Sequence, residues 1–197
     1  MEKKYKRLKK WSIRLGCLLV VLIIGMIVFS PYGSHKGFSY KLIKCNVEIN
    51  APVDSVFNFL GNSKNASKWS VYVDHITALN ADSFPDGTVG SRRRCFCEKD
   101  ETGVQWDELT TERIPNVKRQ LTMSSMKGFF ITAEHLATEQ RYEKVGENKC
   151  SLTFTLFFKD TQPTWWESFK TYFAAYEISS IFNKNMANIK RIVETGK

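Results

Sequence analysis

Three histidines, five cysteines and a run of three arginines are the side chains of this 197-residue sequence whose chemistry narrows the choices. His135 alternates with Phe129, Ile131 and Ala133, and Trp106, Glu108 and Thr110 share one parity in a second β-favouring stretch. If both strands turn those faces to a common interior, Glu108 and His135 meet in apolar surroundings. Burial there raises a carboxyl pKa and suits the pair to acid/base work on a bound ligand. The competing reading leaves Glu108 solvated on the convex face, Trp106 packing alone and His135 as a satisfied core histidine, and the sequence leaves both open. Arg92, Arg93 and Arg94 read as a solvated strand edge. The sharper alternative has Arg93, in phase with Cys95 and Cys97, meeting an anionic ligand group. Cys95-Phe96-Cys97 puts two sulfurs on one strand face, a poor geometry for a bond between them. No Cys-x-x-Cys or histidine pair completes a zinc site, so no metal is expected. Cys45, Cys95, Cys97 and Cys150 read as small buried thiols, with a Cys45 to Cys150 bridge left open among three pairings.

Other reaction classes lose support from missing motifs. There is no Gly-x-Ser-x-Gly, His-Glu-x-x-His, Gly-x-Gly-x-x-Gly or phosphate-loop sequence, which argues against nucleophile-elbow hydrolases, zincins and nucleotide-binding enzymes and predicts no cofactor. The net charge of +9 also misleads. Residues 1–14 hold seven of the 29 basic residues and one of the 20 acids, a net +6, so the other 183 residues carry only +3. That excludes a basic nucleic-acid-binding domain.

The basic segment is followed by 20 uncharged residues, Leu15 to Ser34, flanked by Trp11 and containing Tyr32 as candidate interfacial aromatics. A helix of that length reaches the roughly 30 Å hydrocarbon thickness. Pro31 and Gly33 end it. A cleaved signal peptide has the same outline, but no small-x-small site follows Phe29. The expectation is a single-pass cell-membrane anchor with a cytoplasmic amino terminus and an extracytoplasmic domain. The divisions are 1–14 basic segment, 15–34 anchor, 35–39 linker and 40–197 domain.

Positioning elements follow from periodicity. Cys45, Val47 and Ile49 alternate with polar residues over 40–50, predicting a strand, and Val53, Val56, Phe57 and Leu60 have helical spacing after Pro52. Turn signals then divide the chain into six strands, about 73–81, 89–98, 104–113, 118–125, 129–143 and 149–159. In the last, Cys150, Leu152, Phe154, Leu156 and Phe158 share one face. Trp165 to Glu194 is the longest helical pattern, opened by Thr164 and Glu167 as a capping box. Its predicted stripe runs through 165, 169, 172, 173, 176, 181, 182, 185, 186, 189, 192 and 193.

This order resembles the helix-grip fold of the SRPBCC or START-like superfamily, which includes polyketide cyclase/dehydrase and lipid-transport families. Val47-Glu48-Ile49-Asn50-Ala51-Pro52-Val53-Asp54-Ser55-Val56-Phe57 resembles the family's opening strand and helix, and Lys68-Trp69 the tryptophan that follows. Asp86-Gly87-Thr88-Val89-Gly90 resembles the turn into the third strand, and Trp106 to Thr110 with Pro115 the fourth strand and its exit. The resemblance implies an α+β fold, a seven-stranded antiparallel sheet wrapped around a long C-terminal helix, preceded here by one transmembrane helix. It implies a cavity for a hydrophobic or amphiphilic small molecule, lipid-like or polyketide-like. Trp106, Glu108, Phe129, Ile131 and His135 are its candidate lining from the sheet. Phe154 and Leu156 add to it from the last strand, and Phe169, Phe173 and Tyr176 from the helix. Fold does not fix activity. A cyclase or dehydratase-like enzyme with Glu108 or His135 as acid/base, and a closed-core interaction module, stay as alternatives.

Overall fold

The computed structural model describes residues 2–129 and 132–196. Helix α1 runs from Glu2 to Val28, and its segment Lys9–Val28 is long and apolar enough to cross a membrane, with none of it buried by the rest of the chain. There follow β1 (Tyr32–Gly33), β2 (Leu42–Ile49), α2 (Val53–Gly61), a single 3-10 turn (Ser63–Asn65) and α3 (Ala66–Trp69). Then come β3 (His75–Ala78), β4 (Arg92–Phe96), β5 (Gln105–Ile114), β6 (Lys118–Lys127), β7 (Leu136–Gly146), β8 (Lys149–Phe158) and α4 (Trp165–Thr195). All these strands join one antiparallel sheet in the order β1-β2-β8-β7-β6-β5-β4-β3. The sheet has eight strands rather than the expected seven. The extra one is Tyr32–Gly33, which pairs with Ile43 and Leu42.

That strand changes the reading of the anchor's end. Tyr32 belongs to the domain's packing, buried at 4% exposure and meeting Tyr172 edge-on at 5.2 Å. Only Phe29, Ser30 and Pro31 separate α1 from the sheet. Tyr176 Oη donates to the Met26 carbonyl at 2.8 Å and Ser30 Oγ to the Tyr172 carbonyl at 2.7 Å, fastening the end of α1 to α4.

The core lies where α4 and α2 close on one sheet face. Ile43, Cys45 and Ile49 of β2 face Leu156, Phe154 and Cys150 of β8, and Val56, Phe57 and Leu60 of α2 and Met186 and Ile189 of α4 complete the packing. The even face of β8 is buried throughout, as its alternation predicts. Thr164 caps α4 as expected: its Oγ1 accepts from the Glu167 N–H, and Glu167 accepts from the Thr164 N–H. Gly196 ends the helix in a left-handed turn.

Two expectations are corrected, and one open alternative closes. The strand drawn over 129–143 begins only at Leu136. His135 has φ 56°, a left-handed conformation that breaks the strand, so β7 presents Leu136, Thr138, Gln140 and Tyr142 inward rather than the odd residues before it. On α4 the buried line is Thr171, Ala175, Asn185, Met186 and Ile189. At about 100° per residue, Trp165, Phe169, Phe173 and Tyr176 fall more than about 100° around the helix from that line. Trp165, Trp166 and Phe169 stack on one another, Phe173 meets Phe169 edge-on, and Trp165 and Trp166 are 76% and 55% exposed. Finally, Cys45 and Cys150 are free thiols: Cys150 is opposite Ile49, four residues along β2 from Cys45. At about 3.4 Å per residue that offset exceeds disulfide reach.

The far edge strand β3 is pinned by charge. His75 Nδ1 bonds Asp74 at 2.8 Å, Nε2 bonds Glu101 at 3.3 Å, and the ring stacks on Phe96. The Asp74 bond, with help from Glu101, raises the imidazole pKa above its ordinary value. A raised folded pKa gives stability that is complete below about 6.5 and is lost as pH rises through the folded value. Amide exchange at His75 to Ala78, corrected for base catalysis, is therefore expected to quicken from about pH 6 to 8. His75→Gln should abolish that dependence, and a flat wild-type profile would contradict the pinning.

Candidate functional site

β5 carries two register irregularities, between Gln105 and Asp107 and between Thr110 and Glu112. Such bulges bend a strand and re-aim its side chains. Here they leave Trp106, Glu108 and Thr110 buried and in line with Cys95 and Arg93 of β4 and Met123 and Leu121 of β6. Glu108 thus faces the interior, not solvent. Its Oε2 accepts from Arg93 Nε at 2.8 Å and Nη2 at 2.7 Å, and its Oε1 from Trp106 Nε1 at 3.0 Å. Arg93 Nη1 reaches Ser63 Oγ at 2.9 Å. The arginine run is therefore split by strand parity. Arg93 turns in to Glu108, and Arg94 turns out to a two-pronged bond with Asp107, whose pKa that bond lowers. Both thiols beside this network are poor nucleophiles: burial pushes Cys95 well above its ordinary pKa, and Cys97 up to about 11.

Around the ion pair the wall is apolar and soft. Trp106 packs with Tyr72 at 6.2 Å and Phe129 at 5.8 Å, and Tyr72 with Phe129 at 6.4 Å. Met123 and Met126 pack toward Leu136, Leu156 and Ala175. Tyr72, Met123, Met126 and Phe129 are only half-buried, so this side of the sheet-to-helix interior is less closed than the side beneath Ile49 and Met186.

Among the ligand candidates, the structure brings Trp106, Glu108 and Phe129 together. Phe154 instead belongs to the closed core, against Trp69 and Phe182, while Leu156 is buried in the cluster that Met123 and Met126 pack against. Phe169, Phe173 and Tyr176 lie around α4 from the core, and Ile131 is outside the described residues. His135 is on the loop before β7 with its side chain 56% exposed beside Glu134, so the imagined Glu108–His135 pair does not form. The parity count failed there because it ran the strand back through 129–135, whereas His135 stands before β7 in a left-handed conformation that strand alternation does not govern.

Sequence reasoning missed a second polar cluster. Arg119 Nη1 donates to Gln140 Oε1 at 3.1 Å and Tyr142 Oη at 3.4 Å, and Tyr142 Oη donates to Gln140 at 2.7 Å. Burial pushes the Tyr142 phenol up. The signal was available: Arg119 alternates with Leu121 and Met123, and an arginine in phase with core residues is a buried one. Among the described residues no cluster of three or more metal-ligating side chains occurs.

No family model matches the sequence, and no curated protein is significantly similar. Solved structures do match. The di-domain ARO/CYC protein BexL aligns at TM-score 0.59 and 10% identity over 78% of this chain and 46% of its own. XoxI from Bacillus cereus aligns at TM-score 0.58 and 10% identity, covering 77% and 94%. A START superfamily protein from Mycobacterium smegmatis aligns at 0.52 and 10%, covering 78% and 94%. At such identity the shared property is the path of the chain, and with the open antiparallel sheet closed on a long C-terminal helix it establishes that this protein has the helix-grip fold of those structures.

Proposed function

We propose that this protein binds a hydrophobic or amphiphilic small molecule between its sheet and α4, and that α1 anchors it in a membrane. The observation that carries the reading is the half-buried wall of Tyr72, Met123, Met126 and Phe129 around Trp106. Interior positions of a closed core are filled to crystal-like density, whereas methionines and aromatics left part-open suit an adaptable apolar ligand. The fold neighbours support a ligand-binding role, since they include a START superfamily protein and an ARO/CYC protein. The basic residues before Leu15 favour a cytoplasmic amino terminus, which puts the domain outside, next to a reservoir of lipid. Catalysis by a Glu108–His135 pair is not part of this reading, because the two side chains stand apart.

Native mass spectrometry of the full chain released from detergent, with solvent extraction, tests it. The expected result is a retained mass of a few hundred daltons that Met123→Trp loses while keeping its circular dichroism spectrum. A wild-type chain that stays apo after incubation with total membrane lipid overturns it.

A further inference from the structure

A concavity lies where the end of α2 meets the 86–87 turn and the facing ends of β5 and β6. It measures about 450 Å³, and Phe57, Gly61, Lys64, Asp86, Arg113 and Arg119 form its wall. Two glycines make it. A Cβ on Gly87, whose φ is +70°, would stand 2.8 Å from the Gly61 carbonyl oxygen, and one on Gly61 would stand 2.8 Å from Arg119 Nη2. Only without those carbons can the 86–87 turn, the helix end and the guanidinium come together.

Arg119 is the anomaly. It is 2% exposed, yet no carboxylate hydrogen-bonds to it, and Asp86 on the same wall attracts it without forming an ion pair. Its Nη1 bonds are to the neutral Gln140 and Tyr142, its plane lies 4.7 Å from the Phe57 ring centre, and its Nε is buried without a partner. The nearby acids are committed elsewhere: Asp86 holds the Ser63 N–H at 2.8 Å and hydroxyl at 2.6 Å, and Glu108 holds Arg93 and Trp106. More positive charge lines the same wall, because the Arg113 guanidinium lies 5.1 Å from the centre of the Phe57 ring and Lys64 stands at the rim. Burial, with repulsion from Arg93 and Arg113, pushes the Arg119 pKa down. A buried, uncompensated guanidinium is costly unless something anionic completes it.

We propose that this pocket binds one oxyanion group, a phosphate or a carboxylate, with Arg119 as the buried donor and Arg113 and Lys64 closing on it from the rim. The planar guanidinium fork matches two oxygens of such a group, and the point charge of Lys64 adds attraction without geometric demand. Phe57 shields one side of the guanidinium from water. Its lining shares no residue with the wall of Tyr72, Trp106, Met123, Met126 and Phe129, so it stands or falls apart from the binding of a hydrophobic molecule there.

Calorimetric titration of the full chain in phosphatidylcholine nanodiscs with inorganic phosphate, at ionic strength held constant with chloride, is the test, with acetate titrated in parallel. Expected is saturable binding of at least one of the two, weakened about tenfold in Arg113→Gln and in Lys64→Gln. Both changes are at exposed positions, and their urea midpoints should match wild type. Arg119→Gln should abolish binding; because it alters a buried residue, the two rim variants decide the outcome if it fails to fold. Repeating the titration with phosphatidic acid in the disc separates the sources: loss of the phosphate signal assigns a lipid headgroup, and its persistence assigns a soluble anion. Absence of saturable binding by phosphate and acetate, or affinity unchanged in both rim variants, overturns the proposal.

Discussion

Arg93→Met is expected to destabilise the folded chain by about 3–5 kcal/mol, a large part of the roughly 5–15 kcal/mol that holds a domain together. Arg93 and Glu108 have side chains only 12% and 10% exposed, and the arginine supplies two of the three donors that the carboxylate accepts. Methionine matches the length of the stem but leaves a buried carboxylate with the Trp106 N–H alone. The cost comes from the abandoned charge, so adding Glu108→Gln should return most of the loss. Urea denaturation followed by tryptophan fluorescence measures both. A loss below about 1 kcal/mol, or a double variant no better than the single, would show that water reaches the pair and that the interior there is wet.

Phe57→Ala should cost about as much, roughly 3–5 kcal/mol, by a different mechanism. Phe57 is 1% exposed, meets Tyr142 edge-on at 5.0 Å and lies within 4.7 Å and 5.1 Å of the Arg119 and Arg113 guanidinium carbons. Truncation opens a void between α2 and β7 and strips the aromatic face from a cation to which no carboxylate is hydrogen-bonded. Phe57→Leu keeps most of the volume but not the face, and is expected to recover about half the loss. The denaturation midpoint should fall at unchanged slope. A Leu variant as damaging as Ala would assign the main role to the ring face rather than to volume.

Local and periodic features were the legible ones. The even face of β8 and the Thr164–Glu167 cap depend on residues within a few positions of each other, and they stand where periodicity put them. What escaped depends on single backbone choices or on partners far away in sequence. The positive φ at His135 moved the start of β7 and dissolved the imagined acid/base pair. A two-residue strand at Tyr32 has too few residues to show a period. The Arg93–Glu108 pair spans 15 residues and is set by the register of β4 on β5, which no local pattern encodes. On α4, apolar spacing alone does not say which of two faces meets the sheet: the expected positions 185, 186 and 189 are buried, but in the first half the buried line uses Thr171 and Ala175 in place of the aromatic residues.

The three residues between α1 and β1, and the bonds from Tyr176 to Met26 and from Ser30 to Tyr172, leave the domain no slack. On the membrane-anchored reading, α1 then works as a lever rather than a leash. A thinner bilayer tilts an over-long helix, and that tilt must either rotate the whole domain or prise α4 from its seat on the sheet. Lipid thickness would thus be felt where α4 meets the sheet.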